Sequence, residues 1–144
     1  MTTGMDLDLC RPALNGVYFV GAEDLERLAA AGAEAGLGVH RADLAGCAGK
    51  TGLLDRLAAA LRVPAGFGHN WDALADVVRD LGWLPGRGHA LLFAHAADLA
   101  RAAPGDWRTL LGVLDDAATF FQELDLPWFA FLALPDEAFD APHA

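Results

Sequence analysis

The sequence predicts a single α/β domain built on a mostly parallel sheet of about four strands, with helices packed over it. Three observations carry that expectation. Short apolar runs alternate with longer stretches of helix-forming residues along the whole chain. The runs are almost continuously apolar, as in strands buried on both faces, and helical crossovers between neighbouring strands make them parallel. The chain has 144 residues, and a chain of that size buries roughly 68–70% of its unfolded surface, so it needs no disulfide or metal staple.

The elements follow in order. Residues 1–15 are expected to form a loose tail. Gly16 to Gly21 is an apolar run between glycines and reads as a buried strand. Good helix formers from Ala22 to Ala35 end at Gly36, a helix stop. This strand and helix, residues 16–37, form an N-terminal extension packed on the same domain as a core of residues 38–134. Val39 to Leu44 alternates as a second strand. Lys50 to Arg62 is an amphipathic helix with Leu53, Leu54, Leu57 and Leu61 on one side, stopped by Pro64. After a Gly-rich loop, Asn70 is placed to cap a helix from Trp71 to about Leu81. Ala90 to Ala94 is the third strand. A short helix over Asp98 to Ala102 ends before Pro104, and Asp106 is expected to cap a long helix to about Leu124. Pro127 to Leu134 is the last strand. Residues 135–144 are expected to fray.

Composition excludes several classes of function. The chain has no serine, so no serine nucleophile, and Lys50 is its single lysine. Ten basic residues against 20 acidic ones leave a net charge of −10. That balance offers no basic stripe to displace counterions from nucleic acid. Cys10 and Cys47 are too few for a disulfide framework or a four-ligand zinc site, and suit a reducing interior. No charge-free run is long enough to span a membrane. Met1 to Cys10 lacks the basic-then-apolar pattern of a secretory signal, so a cytoplasmic location is expected. Abundant Ala, Leu, Gly and Arg without Ile suggest a GC-rich bacterial source.

Gly49-Lys50-Thr51 follows a strand and opens a helix, like the end of a phosphate-binding loop. The motif also needs a glycine five residues before Gly49, where Leu44 stands. A nucleotide-binding enzyme using Lys50 and Thr51 is therefore a distant alternative. The five histidines show no metal-binding spacing, and no metal or other cofactor is expected. By strand parity, His89 and His95 should point to the same face. Cys47 has only Lys50 nearby to activate it as a nucleophile.

The helix after Asn70 is more informative. Leu74, Val77, Val78 and Leu81 form its inner stripe. At about 100° per residue, Asp72 and Asp76 fall on the opposite side, with Arg79 between them in azimuth. Asp72 lies in the first turn, where the helix dipole favours negative charge. Trp71 and Trp83 flank this acidic face. A plain solvated helix surface would also account for these charges.

Phe67-Gly68-His69-Asn70-Trp71-Asp72-Ala73-Leu74-Ala75-Asp76 resembles the signature segment of the barstar family, small intracellular inhibitors of barnase-type ribonucleases. The resemblance extends over about residues 38–134, with strands and helices in the family's order. It implies a protein that is not an enzyme. Its partner would be a basic extracellular-type ribonuclease or a ribonuclease toxin, with no direct contact to nucleic acid. Residue by residue, it implies that the segment from Phe67 to Asp76 enters the enzyme's active site. Asp72 and Asp76 would meet its cationic groups, Asp76 most strongly. Gly68, His69, Asn70 and Trp71 belong to the same contact segment, and Asp116 on the long helix would add a further acidic contact. Two departures stand out. Gly66 replaces the first of two adjacent aromatics, the one implied to pack on the enzyme's catalytic histidine. Trp71 replaces an aliphatic residue. A barstar-like acidic module with a partner other than a ribonuclease is the second reading. Asp55, on the preceding helix, is expected to be a remote surface acid.

Overall fold

The computed structural model describes residues 7–84 and 86–135. Four strands, β1 (Gly16–Val20), β2 (Gly38–Asp43), β3 (His89–Ala94) and β4 (Trp128–Ala133), form one sheet in the order β1-β4-β3-β2. Every neighbouring pair is parallel. The helices are α1 (Leu25–Glu34), α2 (Lys50–Ala60), α3 (Trp71–Val78), α4 (Ala96–Ala102) and α5 (Pro104–Glu123). This is the single parallel α/β domain that the apolar strands predict.

The sheet divides two cores. Trp128, Ala130 and Leu132 of β4, with Leu91 and Phe93 of β3, face the inner stripes of α2 to α5. Phe129, Phe131 and Ala133, with Ala90 and Leu92, face α1 through Leu28 and Ala29. All six residues of β4 are buried. The edge strands differ: β2 alternates, exposing Arg41 and Asp43, and Phe19 of β1 is exposed beside Trp107 of α5. Gly88 shows how tightly the strands enter this sheet. A Cβ there would run into the Pro127 carbonyl, which already accepts a bond from the His89 amide at 3.1 Å.

Several boundaries differ from expectation for local reasons. The chain is anchored before residue 16: Leu9 is buried in the α1-side core, and a 3-10 turn runs over Pro12–Leu14. Asn15 then ties β1 to the rest. Its side-chain amide donates to the Ala118 and Leu126 carbonyls at 3.1 and 2.9 Å, and its Oδ1 accepts from the Trp128 amide at 2.8 Å. Residues 1–6 of the expected tail, and 136–144 of the expected frayed end, lie outside the described residues. The segment from Ala22 opens as a 3-10 turn to Asp24, whose carboxylate accepts from the Gly21 amide, before α1 begins. Helix α3 stops at Val78, because Leu81 adopts φ +53 while keeping its side chain in the core. Helix α5 starts at Pro104, which places Asp106 in the first turn instead of at the cap. Proline suits that position, since its missing N–H would be unpaired there anyway.

His89 and His95 do not share a face. His89 is buried on β3, with its Nδ1 3.1 Å from Nε2 of the buried His40 on β2. His95 lies beyond the strand end at φ +57, exposed, and its Nδ1 meets Asp43 Oδ1 at 2.8 Å. The left-handed turn at residue 95 breaks the parity.

Burial, and then the charge of its neighbour His40, push the His89 pKa down to about 4. Burial and the Arg62 charge also lower that of His40. The unfolded chain takes these protons near pH 6.5 and the folded chain resists them, so this stability is present above that pH and lost as pH falls towards 4. Urea unfolding should therefore show a loss of about 2–3 kcal/mol between pH 7 and pH 4.5. His89→Leu should remove most of that slope, and a profile flat from pH 7 to pH 5 would refute the assignment.

Candidate functional site

Helix α2 ends at Ala60 with Leu61 as its C-cap; Arg62 then turns to φ +50 and Pro64 prevents continuation. The chain then crosses the open loop 65–70. Gly66 sits at φ +98, a conformation L side chains rarely adopt, and nothing lies within reach of a Cβ built there. Phe67 turns inward, half-buried against the α2–α5 core. His69 adopts φ +50 and lays its ring against Phe67, with centroids 4.8 Å apart. Its Nδ1 is 3.2 Å from the Phe67 carbonyl oxygen, and its Nε2 is 3.0 Å from Asp55 Oδ1 on α2.

Asn70 performs the capping role its position predicts. It is extended, and its Oδ1 accepts from the Ala73 amide at 2.7 Å. Its side-chain amide donates to the Gly68 carbonyl at 3.3 Å. Helix α3 buries Leu74 and Val78 completely and packs on α5. Asp72 and Asp76 are exposed one turn apart. Their mutual repulsion amounts to a few tenths of a kcal/mol, and the first-turn position of Asp72 offsets some of it. Arg79 Nη2 lies 2.9 Å from Asp76 Oδ1 in an exposed pair.

The remaining residues are placed as follows. Asp116 is exposed on α5, the helix that carries α3. Phe120, one turn further along the same face, is also exposed, at 39%. Trp71 and Trp83 are half-buried and packed on the core, and the Trp83 indole donates to the Leu61 carbonyl at 2.9 Å. The segment Phe67–Asp76 is continuous, with Gly68, His69, Asn70, Asp72 and Asp76 exposed, and Asp116 stands on the neighbouring helix without a shared hydrogen-bond partner among the described residues.

One reading of the sequence changes. Asp55 is not remote: it grips His69 in the loop. Its position on α2 gave no sign of this, because the contact depends on how α2 and the loop meet. The pairing of Asp76 with Arg79, in contrast, is the i, i+3 contact that their spacing allows.

Other candidate chemistry finds no assembly. The Asp106 carboxylate lies beside Gly49, 3.5 Å from where a Cβ would stand, so the start of α2 already faces a negative group. That opposes a phosphate at Lys50 and Thr51. Cys47 is buried at 2% exposure, with its thiol 3.6 Å from the Gly49 carbonyl oxygen. No group of three or more metal-ligating side chains occurs among the described residues. No described helix is long and apolar enough to cross a membrane. At the C-terminal ends of β2 and β3, Asp43 accepts from His95 and from the Ala45 amide, and these contacts hold its carboxyl below the usual range.

A parallel four-stranded sheet with an exposed, capped acidic helix defines a small acidic α/β protein. Residues 37–133 match the family described as Barstar (barnase inhibitor), so the chain belongs to the barstar family. That family consists of inhibitors, and β1 and α1 lie outside the matched span. No curated protein matches the chain.

Loss of the Asn70 cap should be measurable without any partner. Asn70→Ala should lower the unfolding free energy by about 1 kcal/mol. An unchanged urea midpoint would show that α3 is held by its packing alone.

Proposed function

We propose that the protein inhibits a barnase-type ribonuclease, as a guard against the cell's own secreted enzyme or as immunity to a ribonuclease toxin. The observation that carries this reading is the pair Asp72 and Asp76, exposed one turn apart on a capped helix of a barstar-family chain. A ribonuclease must gather Arg, Lys and His to hold an anionic phosphodiester. Carboxylates presented at the same spacing occupy the places of phosphate oxygens, and an arginine can take a carboxylate in two parallel charge-assisted bonds. Phe67, Gly68, His69, Asn70 and Trp71 form the rest of the contact segment, with Asp116 at its flank.

Binding requires desolvation of these charges, which is tolerable when both partners arrive already ordered. The net charge of −10 draws a basic enzyme into encounter. Steering of this kind is best known from the barnase–barstar pair itself. The protein would act in the cytoplasm, where an inhibitor must meet its enzyme before export or after a toxin's entry.

One observation favours a second reading. Gly66 leaves empty the place of an aromatic implied to meet the ribonuclease's catalytic histidine, and its φ of +98 disfavours any L side chain there. A barstar-fold module for another basic protein would form a tight complex and leave RNA cleavage unchanged.

Titration of barnase, followed with a fluorescent RNA, tests the proposal. Stoichiometric inhibition is expected, weakening as salt rises. Asp76→Ala should weaken binding by at least ~2 kcal/mol, the range of an interface hot spot. Glu34→Ala, on α1 across the sheet, should change little. Equal losses for the two variants would remove Asp76 from the site.

Arg79→Ala makes an opposite prediction. It frees the Asp76 carboxylate and removes a positive charge from a face meant for a basic enzyme. Affinity should stay level or rise by up to about 1 kcal/mol, the scale of an exposed ion pair. A marked loss would mean that Arg79 itself touches the partner or holds Asp76 in its binding pose.

A further inference from the structure

We propose that Asp55 is a positioning residue for the partner-binding loop: from α2, its carboxylate holds the His69 ring and so fixes the shape that loop 65–70 presents. The proposal rests on the reading of that loop as part of the inhibitory face.

Loop 65–70 has an anchor on each side of His69. Phe67 packs half-buried against the core, and Asn70 is bonded into the first turn of α3. Between them, His69 occupies the left-handed region at φ +50, which costs a non-glycine residue of order 1–2 kcal/mol and persists only where neighbours impose it. The backbone of residue 69 offers no such restraint by itself, because its exposed ring could swing into water. Two contacts prevent that. The ring lies against Phe67, and Asp55 Oδ1 approaches Nε2 at 3.0 Å.

Both ring nitrogens face acceptors. Nδ1 points to the Phe67 carbonyl and Nε2 to the Asp55 carboxylate. An Nε2–H that donates to an ionised carboxylate makes a charge-assisted hydrogen bond, which is stronger than a neutral one. Asp55 and the Phe67 carbonyl are the groups facing the ring within hydrogen-bond distance among the described residues.

The arrangement has a consequence for recognition. Asp55, by holding the His69 ring towards α2, leaves Asp72 and Asp76 to face outward. It also supplies its restraint from a rigid element, since Leu53, Leu54 and Leu57 lock α2 into the core. A surface ion pair contributes little to global stability, so its effect should appear in loop order and in binding.

Two measurements on the full chain separate these levels. Backbone NMR order parameters of residues 66–69 in the free protein should fall from about 0.85 towards about 0.6 in Asp55→Asn, with the urea midpoint unchanged. Affinity for barnase, measured at about 0.5 M salt to screen the lost charge, should fall several-fold. Asp55→Asn should then add nothing in a His69→Gln background, since coupled residues are not additive. Unchanged loop order parameters would overturn the proposal whatever the binding result. A lowered urea midpoint would also overturn it, by making Asp55 a structural residue. Additive losses in the double variant would overturn it too, because Asp55 would then act without His69. If the parent protein does not bind barnase, the ribonuclease reading fails, and the loop order parameters alone still decide the role of Asp55.

Discussion

Strand β4 has to be dry on both faces, and the rest of the structure is arranged around that requirement. Trp128, Ala130 and Leu132 point into one core, Phe129, Phe131 and Ala133 into the other. A parallel neighbour on each side satisfies its backbone, but parallel strands cannot be joined by tight turns, so the chain must cross the sheet on helices. Helix α1 makes the crossing from β1 to β2, the two edges, and covers one face. All other helices then crowd onto the opposite face. Between β2 and β3 there is room for α2 against the sheet, while the short α3 rides outside, on α5. An outer helix that buries Leu74 and Val78 and half-covers its flanks keeps Asp72 and Asp76 in water. The acidic face is thus the free side of a helix whose placement the core dictates.

How much of this was legible in the sequence depends on the range of the interaction. The fold class came from local signals: apolar runs too continuous for one-sided strands, helices with regular leucine stripes, and prolines and glycines between them. The Asn70 cap and the exposure of Asp72 and Asp76 came from periodicity along one helix. What escaped is long-range or depends on left-handed backbone. The strand order places β4 between β1 and β3, although they are about a hundred and about thirty residues earlier in the chain. Asn15 reads as tail, yet its three bonds reach residues more than a hundred positions away. Leu81, His69 and His95 all carry positive φ without being glycine, so periodicity misjudged where α3 ends and where His95 points. The buried contact between His40 and His89 joins two strands, and neither residue's own neighbours announce it.

The same division explains the candidate site. Its charges are written in one contiguous segment, and a resemblance of ten residues was enough to point to the family. Its rigidity is not in that segment. The loop is held from outside, by the core under Phe67 and by Asp55 on α2, while Trp71 and Trp83 pack on the same core. Charge and shape are therefore specified by different parts of the chain, and substitutions distant in sequence can alter recognition without touching an acidic residue of the segment.

Rigidity matters here because the acids are exposed. Carboxylates at the bottom of a cleft are oriented by the walls, but Asp72 and Asp76 stand in water on one side of α3. To replace a phosphodiester in a cationic cleft, they must lose that water, and the loss is offset only if several charge-assisted bonds form together. A frayed helix would bring them in one at a time, each with its own ordering cost. A capped first turn, a phenylalanine driven into the core and a histidine clasped from the neighbouring helix convert the exposed acids into a fixed array. Even Asp76, with Arg79 beside it, remains on that array and needs only to exchange one arginine for another. Net negative charge governs how often a basic enzyme arrives; the order of loop 65–70 and of the first turn of α3 governs whether the encounter becomes a complex.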